Sequence, residues 1–146
     1  MTTFLDTSAL FALLDRDDAN HHKAKDTWVG LLADEQPLIT TNYVLVESFA
    51  LIQHRLGLSA VRTFQEDILP VVPVEWVTDS VHRAGVSALL AASSRNLSLV
   101  DCVSFEIMRR AGIKAVFAFD ELGYKLHWSR PVQCHHGDNI FELGRF

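Results

Sequence analysis

Cysteine is scarce in this chain. Only Cys102 and Cys134 stand among 146 residues, too few for a disulfide scaffold and without the paired spacing of a zinc site. Both are expected to be free thiols in a reducing compartment. Long apolar runs are also lacking. The strongest stretch, Val81 to Ala92, is broken by His82, Arg83 and Ser87 and falls short of the roughly 20 residues that cross a bilayer. No transmembrane span and no membrane partner are expected. The opening MTTFLDTSAL carries an acid at Asp6 and no basic region, so a secretory signal is not expected and the cytoplasm is the expected location. Positive charge is in deficit too: 13 Lys and Arg against 18 Asp and Glu leave a net −5. That argues against a protein that coats nucleic acid by bulk electrostatics, but not against an enzyme whose acids surround a metal ion in one pocket.

What is present fits one globular domain, with 49% hydrophobic and 21% charged residues. At this size a fold buries roughly 70% of the surface of its extended chain, enough for a core without staples. Thr3-Phe4-Leu5 reads as a short strand ending at Asp6, followed by a helix over Ala9 to Leu14. The Asp17-Asp18-Ala19-Asn20 cluster precedes an amphipathic helix with Ala24, Trp28, Leu31 and Leu32 on one face, stopped by Pro37. Leu38-Ile39-Thr40 is a second strand, and Asn42 is expected to cap a helix over Val44 to Leu56, closed by Gly57. A helix from Ser59 to Ile68 and an edge strand over Leu69 to Val74 follow, then a helix capped by Thr78 or Asp79 and reaching about Ser94. Ser98 and Asp101 have capping-box spacing at the head of a helix ending at Gly112, and Ala115 to Phe119 is a buried-type strand leading to Asp120. This alternation predicts an α/β domain with three layers, α/β/α, around a central parallel sheet. Residues 129–146 read as an extension whose apolar Ile140, Phe141, Leu143 and Phe146 dock on the domain or on a second subunit.

Ligands of open parallel sheets bind beyond the carboxyl ends of the strands, and Asp6 and Asp120 both stand at such ends. Asp101 opens a helix and Glu47 lies about one turn inside another, so all four acids have access to one rim. The apolar flanks of Glu47 (Val46, Phe49 and Ala50) suggest a position withdrawn from open solvent. Two carboxylates 4 to 5 Å apart repel by roughly 3 to 4 kcal/mol at an effective dielectric near 20, so a cluster calls for a divalent cation, protons or dispersal. Mg²⁺ or Mn²⁺ suits ligation by oxygen alone.

These residues resemble the PIN domain, a fold of metal-dependent nucleases, and within it the VapC-type toxins of toxin–antitoxin pairs. Phe4-Leu5-Asp6-Thr7-Ser8 matches the family's opening strand and first acid, and Thr41-Asn42-Tyr43-Val44-Leu45-Val46-Glu47 its second. Leu97-Ser98-Leu99-Val100-Asp101-Cys102-Val103-Ser104 matches the third motif, and Gly112-Ile113 through Phe119-Asp120 the fourth. The resemblance covers about residues 3 to 128, the extent of the expected nuclease domain (1–128). After Asp120 the chain departs from the family, with Glu121-Leu122-Gly123-Tyr124 where an aromatic residue and a longer turn are common. The resemblance implies RNA hydrolysis with Mg²⁺ or Mn²⁺. Asp6, Glu47 and Asp101 would be metal ligands, Asp120 an outer catalytic acid, and Thr7, Asn42 and Ser104 hydrogen-bonding supports. It also implies a small cognate antitoxin as partner and a homodimer.

Other readings remain at this point. A PIN-like scaffold that binds RNA or protein without cutting would be marked by a lost acid, and none of the four is missing. A phosphatase of the haloacid-dehalogenase type needs a second Asp two residues after the first, where this chain has Ser8. His21-His22 and His135-His136 match no zinc signature and read as surface histidines. Arg109-Arg110 with Lys114, and separately Arg55 and Arg62, are equally phosphate contacts or a solvated basic face.

Overall fold

The three residues Thr3–Leu5 form strand β1, every one of them buried, as expected of a strand covered on both faces by helices. In the computed structural model, which describes residues 1–119 and the backbone of 140–142, β1 is the centre of a five-stranded sheet. Its neighbours are β2 (Leu38–Thr41) and β4 (Ala115–Phe117), both parallel to it, with Phe4 opposite Ile39 on one side and Val116 on the other. β3 (Val74–Glu75) extends the sheet beyond β2 in parallel, and β5 (Ile140–Glu142) runs antiparallel to β4, giving the order β3-β2-β1-β4-β5. The expected α/β/α layering around a parallel sheet is the observed one. Of the expected extension over residues 129–146, the stretch 140–142 pairs with β4 of the same chain, and the remainder lies outside the described residues.

Helices α1 (Thr7–Leu14), α2 (His21–Ala33), α3 (Asn42–Leu56), α4 (Leu58–Thr63), α5 (Asp79–Ala92) and α6 (Leu99–Ala111) pack around the sheet. Phe4, Leu5, Leu10, Val44, Ile52 and Phe64 lie in the core, and Val103, Met108, Val116 and Phe117 continue it under α6. α5 and α6 come close at Gly85, where a Cβ would sit 2.6 Å from Cγ2 of Val103; only glycine allows that approach. Gly57 (φ +86°) and Gly112 (φ +67°) end α3 and α6 in the left-handed region, as their positions in the sequence suggest. No helix among the described residues is long and apolar enough to cross a membrane.

Several local expectations are corrected. The run Leu69 to Val74 is not one strand: Leu69–Val71 is a 3₁₀ turn, and pairing begins only at Val74. Pro70 favours the turn because its fixed φ suits a helical start, whereas Pro73 can precede the strand because its carbonyl accepts from Thr40 N at 3.1 Å. The helix expected to continue to Ile68 loosens after Thr63 into a π turn over Phe64–Ile68. Leu32 is 42% exposed and lies off the buried stripe of Ala24, Thr27, Trp28 and Leu31. Thr41 caps α3, its Oγ1 accepting from Val44 N at 3.2 Å, and Asn42 is the first residue of the helix.

Candidate active site

Four parallel strands finish at the same edge of the sheet, and α1 and α3, which follow β1 and β2 directly, begin there. Asp6 follows β1 directly and caps α1. Its backbone N–H donates to Phe117 O at 3.1 Å, which ties it to the end of β4. The carboxylate is 6% exposed, and its Oδ2 accepts from Ser8 Oγ at 2.7 Å and from Ser8 N at 3.3 Å. Ser8 Oγ in turn accepts from Phe119 N at 2.9 Å. One hydroxyl thus joins the first acid to the residue before Asp120, and Asp120 itself lies outside the described residues.

Glu47 stands in the second turn of α3. The buried stripe of that helix is Val44, Ser48 and Ile52, at i, i+4 and i+8, which turns Glu47 about 100° away from it. Glu47 is exposed, and so are Val46 (69%) and Ala50, so the expectation of a withdrawn position is overturned. Next to it, buried Ser48 donates from Oγ to Thr7 Oγ1 at 3.3 Å, bracing α3 against the residue that follows Asp6. Asp101 lies in the first turn of α6, half-buried, and completes the expected capping box: its N–H donates to Ser98 Oγ and its Oδ2 accepts from Ser98 N, both at 3.0 Å.

The supporting residues have mixed fates. Thr7 is buried beside Asp6. Ser104 is fully buried and donates to Val100 O at 2.8 Å, one turn back on its own helix. Asn42 neither caps α3 nor supports an acid in the way expected; its Oδ1 accepts from Val77 N at 2.7 Å and anchors the segment after β3. His21 is no plain surface residue, since its Nδ1 lies 2.8 Å from Ala12 O. Four of the ten described basic residues pair with carboxylates: Glu106 holds both Arg109 (2.7 Å) and Arg110 (2.6 Å), Arg62 faces Glu66 at 3.5 Å, and Arg83 faces Asp79 at 2.7 Å. The two guanidiniums hold the Glu106 carboxyl below its ordinary range.

Among the described residues, no three His, Cys, Asp or Glu side chains are gathered closely enough to hold a metal ion. Asp6, Glu47 and Asp101 stand at or near the heads of three different helices, α1, α3 and α6. The chemistry of the donors nevertheless fits a hard cation. Carboxylates and the hydroxyls of Thr7, Ser8 and Ser48 provide oxygen alone, and buried Cys102 is a thiol whose pKa is pushed up by burial and by the charge of Asp101.

A family model for the PIN domain matches residues 3–125. The chain belongs to the PIN-domain family. It is 37% identical over 119 residues to the 23S rRNA-specific endonuclease VapC20 of Mycobacterium tuberculosis, in both strains CDC 1551 / Oshkosh and ATCC 25618 / H37Rv. The match spans 80% of this chain and 88% of that protein. The crystal structure of M. tuberculosis VapC20, described as a sarcin-ricin-loop-cleaving toxin, superposes with a TM-score of 0.72 at 34% identity, covering 85% of this chain and 94% of that one.

Within this PIN domain, sequence reasoning missed Ser8, Ser48 and the contact between Tyr43 OH and His82 Nδ1 at 2.5 Å. The small polar pair after Asp6 was a signal for Ser8. Nothing local identified its second partner, because Phe119 is 111 residues away.

Proposed function

We propose that this PIN-domain protein is a divalent-metal-dependent endoribonuclease, the toxin of a toxin–antitoxin pair, with ribosomal RNA as its substrate. The observation that carries the reading is the coincidence of two facts. The chain shares 37% identity with a 23S rRNA-specific endonuclease over most of both lengths, and Asp6, at the end of the central strand, is buried and oriented by Ser8.

Asp6, Glu47 and Asp101 are assigned to hold Mg²⁺ or Mn²⁺, and Asp120 to orient a ligand or the attacking water. The ion would activate water and offset charge on the scissile phosphate during in-line displacement. Ser8 keeps one oxygen of Asp6 engaged and so sets the direction of the other. The hydrogen bond from Ser48 to Thr7 joins α3 to α1 through the residues that adjoin Glu47 and Asp6 in the chain. Exposure of Glu47 leaves that side of the edge open to a bulky substrate. Two further assignments accompany the reading: a small antitoxin protein as the inhibitor, and a homodimer in solution.

The test is cleavage by protein purified free of any antitoxin, with intact ribosomal and transfer RNA as substrates. Cleavage should require Mg²⁺ or Mn²⁺ and leave a 5′-phosphate and a 3′-hydroxyl, because water is the nucleophile. A cyclic phosphate, or cleavage that survives EDTA, would overturn the carboxylate–metal assignment. RNA binding without cleavage by the wild-type chain would favour the scaffold reading instead. Light scattering of the same sample, with and without the antitoxin, checks the partners.

A further inference from the structure

We propose that Trp76 is a stacking platform for a base of the RNA substrate, displayed on the same sheet edge as the acids; the assignment deepens the ribonuclease reading above and rests on it. Trp76 is 71% exposed, although tryptophan carries one of the largest apolar surfaces of any side chain and is mostly buried. The residues around it in the chain are open: Glu75, Thr78, Asp79 and Ser80 are exposed, as are Val71 and Pro73 before the strand. The core of a protein–protein contact is a contiguous patch of several large apolar side chains, and Trp76 is the one exposed aromatic ring on this segment.

The backbone under the ring is fixed on both sides. Glu75, before it, pairs with Thr41 in the β2–β3 register, and Val77, after it, donates its N–H to Asn42 Oδ1 at 2.7 Å. Two residues further on, Thr78 caps α5, and His82 in its first turns meets Tyr43 in the first turn of α3. The indole is therefore presented from a segment pinned to the head of the helix that carries Glu47. Only β2 separates β3 from β1, so the strand ends bearing Glu75 and Asp6 are two strand spacings apart, about 10 Å. A nucleotide flanking the scissile phosphate spans such a gap.

The charge distribution leaves work for such a contact. The net charge is −5, and four of the seven described arginines, Arg62, Arg83, Arg109 and Arg110, each face a carboxylate on their own or the adjoining turn, so part of the charge available to neutralise phosphates is already paired. Stacking does not depend on charge, and one base on an aromatic ring contributes roughly 5- to 150-fold in affinity as judged by alanine substitution.

The test compares wild type with Trp76→Ala, Trp76→Leu and Trp76→Phe in the full chain. Affinity for a stem-loop RNA is read by anisotropy in EDTA, cleavage in Mn²⁺, and oligomeric state by light scattering. Trp76→Ala and Trp76→Leu should weaken binding about 10- to 100-fold and raise KM, with little change in kcat, while Trp76→Phe recovers most of the affinity. The oligomeric state should be the same in all four proteins. Equal affinity of Trp76→Ala and wild type overturns the proposal, and so does a Trp76→Leu variant as good as Trp76→Phe. A loss that follows a change in oligomeric state makes the ring a protein contact and overturns it too. Failure of the wild type itself to cleave would instead strike the ribonuclease reading.

Discussion

Ser8 Oγ accepts a 2.9 Å hydrogen bond from the backbone N–H of Phe119 while donating at 2.7 Å to Asp6 Oδ2, so one hydroxyl connects two strand ends 111 residues apart. Ser8→Ala removes the hydroxyl that does both. Activity should fall about 10- to 100-fold, the usual effect of losing a group that orients a metal ligand. Stability should drop by about 1 kcal/mol as the Phe119 N–H loses that acceptor. Steady-state kinetics and thermal melts measure the two losses, and Ser8→Thr should restore part of each.

Asp6→Asn separates capping from metal binding. Asparagine caps helices as well as aspartate does, and the amide oxygen still accepts from Ser8 N, so metal-free stability should change by less than about 1 kcal/mol. Mn²⁺ should raise the melting temperature of wild type but not of the variant, and cleavage should be lost. A large drop in metal-free stability would make Asp6 a structural residue.

Gly85→Ala places a methyl group 2.6 Å from Cγ2 of Val103, which is fully buried and stiff at χ1. Overpacking of this kind costs about 1 to 3 kcal/mol and outweighs the gain of roughly 1 kcal/mol in helix propensity. A lower midpoint in urea with an unchanged slope is the expected result.

Glu106 carries a pH dependence of known sign. Its hydrogen bonds and charge interactions with Arg109 and Arg110 lower its pKa in the folded chain below the unfolded value. The resulting stabilisation is present above the ordinary glutamate range and is lost as pH falls through the lowered folded-state value. Glu106→Gln should therefore be less stable than wild type at neutral pH, by about 1 kcal/mol or less. The difference should close on acidification, as followed by melts between neutral and strongly acidic pH.

Much of this was legible along the chain because the signals are local. The capping box of Ser98 and Asp101, the glycine stops at Gly57 and Gly112, and the buried strands β1 and β4 depend on residues within a few positions of each other. Periodicity and capping chemistry act over that range. The order of the motifs around the four acids was readable for the same reason, and with it the family. Glu47 was misjudged because flanking residues in a helix do not share its face: Val46 and Ala50 are exposed with it, and the buried stripe runs through Val44, Ser48 and Ile52.

By itself, then, the sequence determined most of the elements, their alternation, and the place of Asp6 at the end of a strand. The tertiary structure alone decided which polar groups meet. Asn42 reaches Val77 rather than its own helix end, Ser8 reaches Phe119, and Ser48 reaches Thr7, all across separate elements. A buried hydroxyl or amide must find a partner wherever packing brings one within 3.5 Å, and strand order β3-β2-β1-β4 is what sets those neighbours. The same order puts exposed Trp76 on the edge that carries Asp6, a proximity across 70 residues of chain that no local pattern encodes.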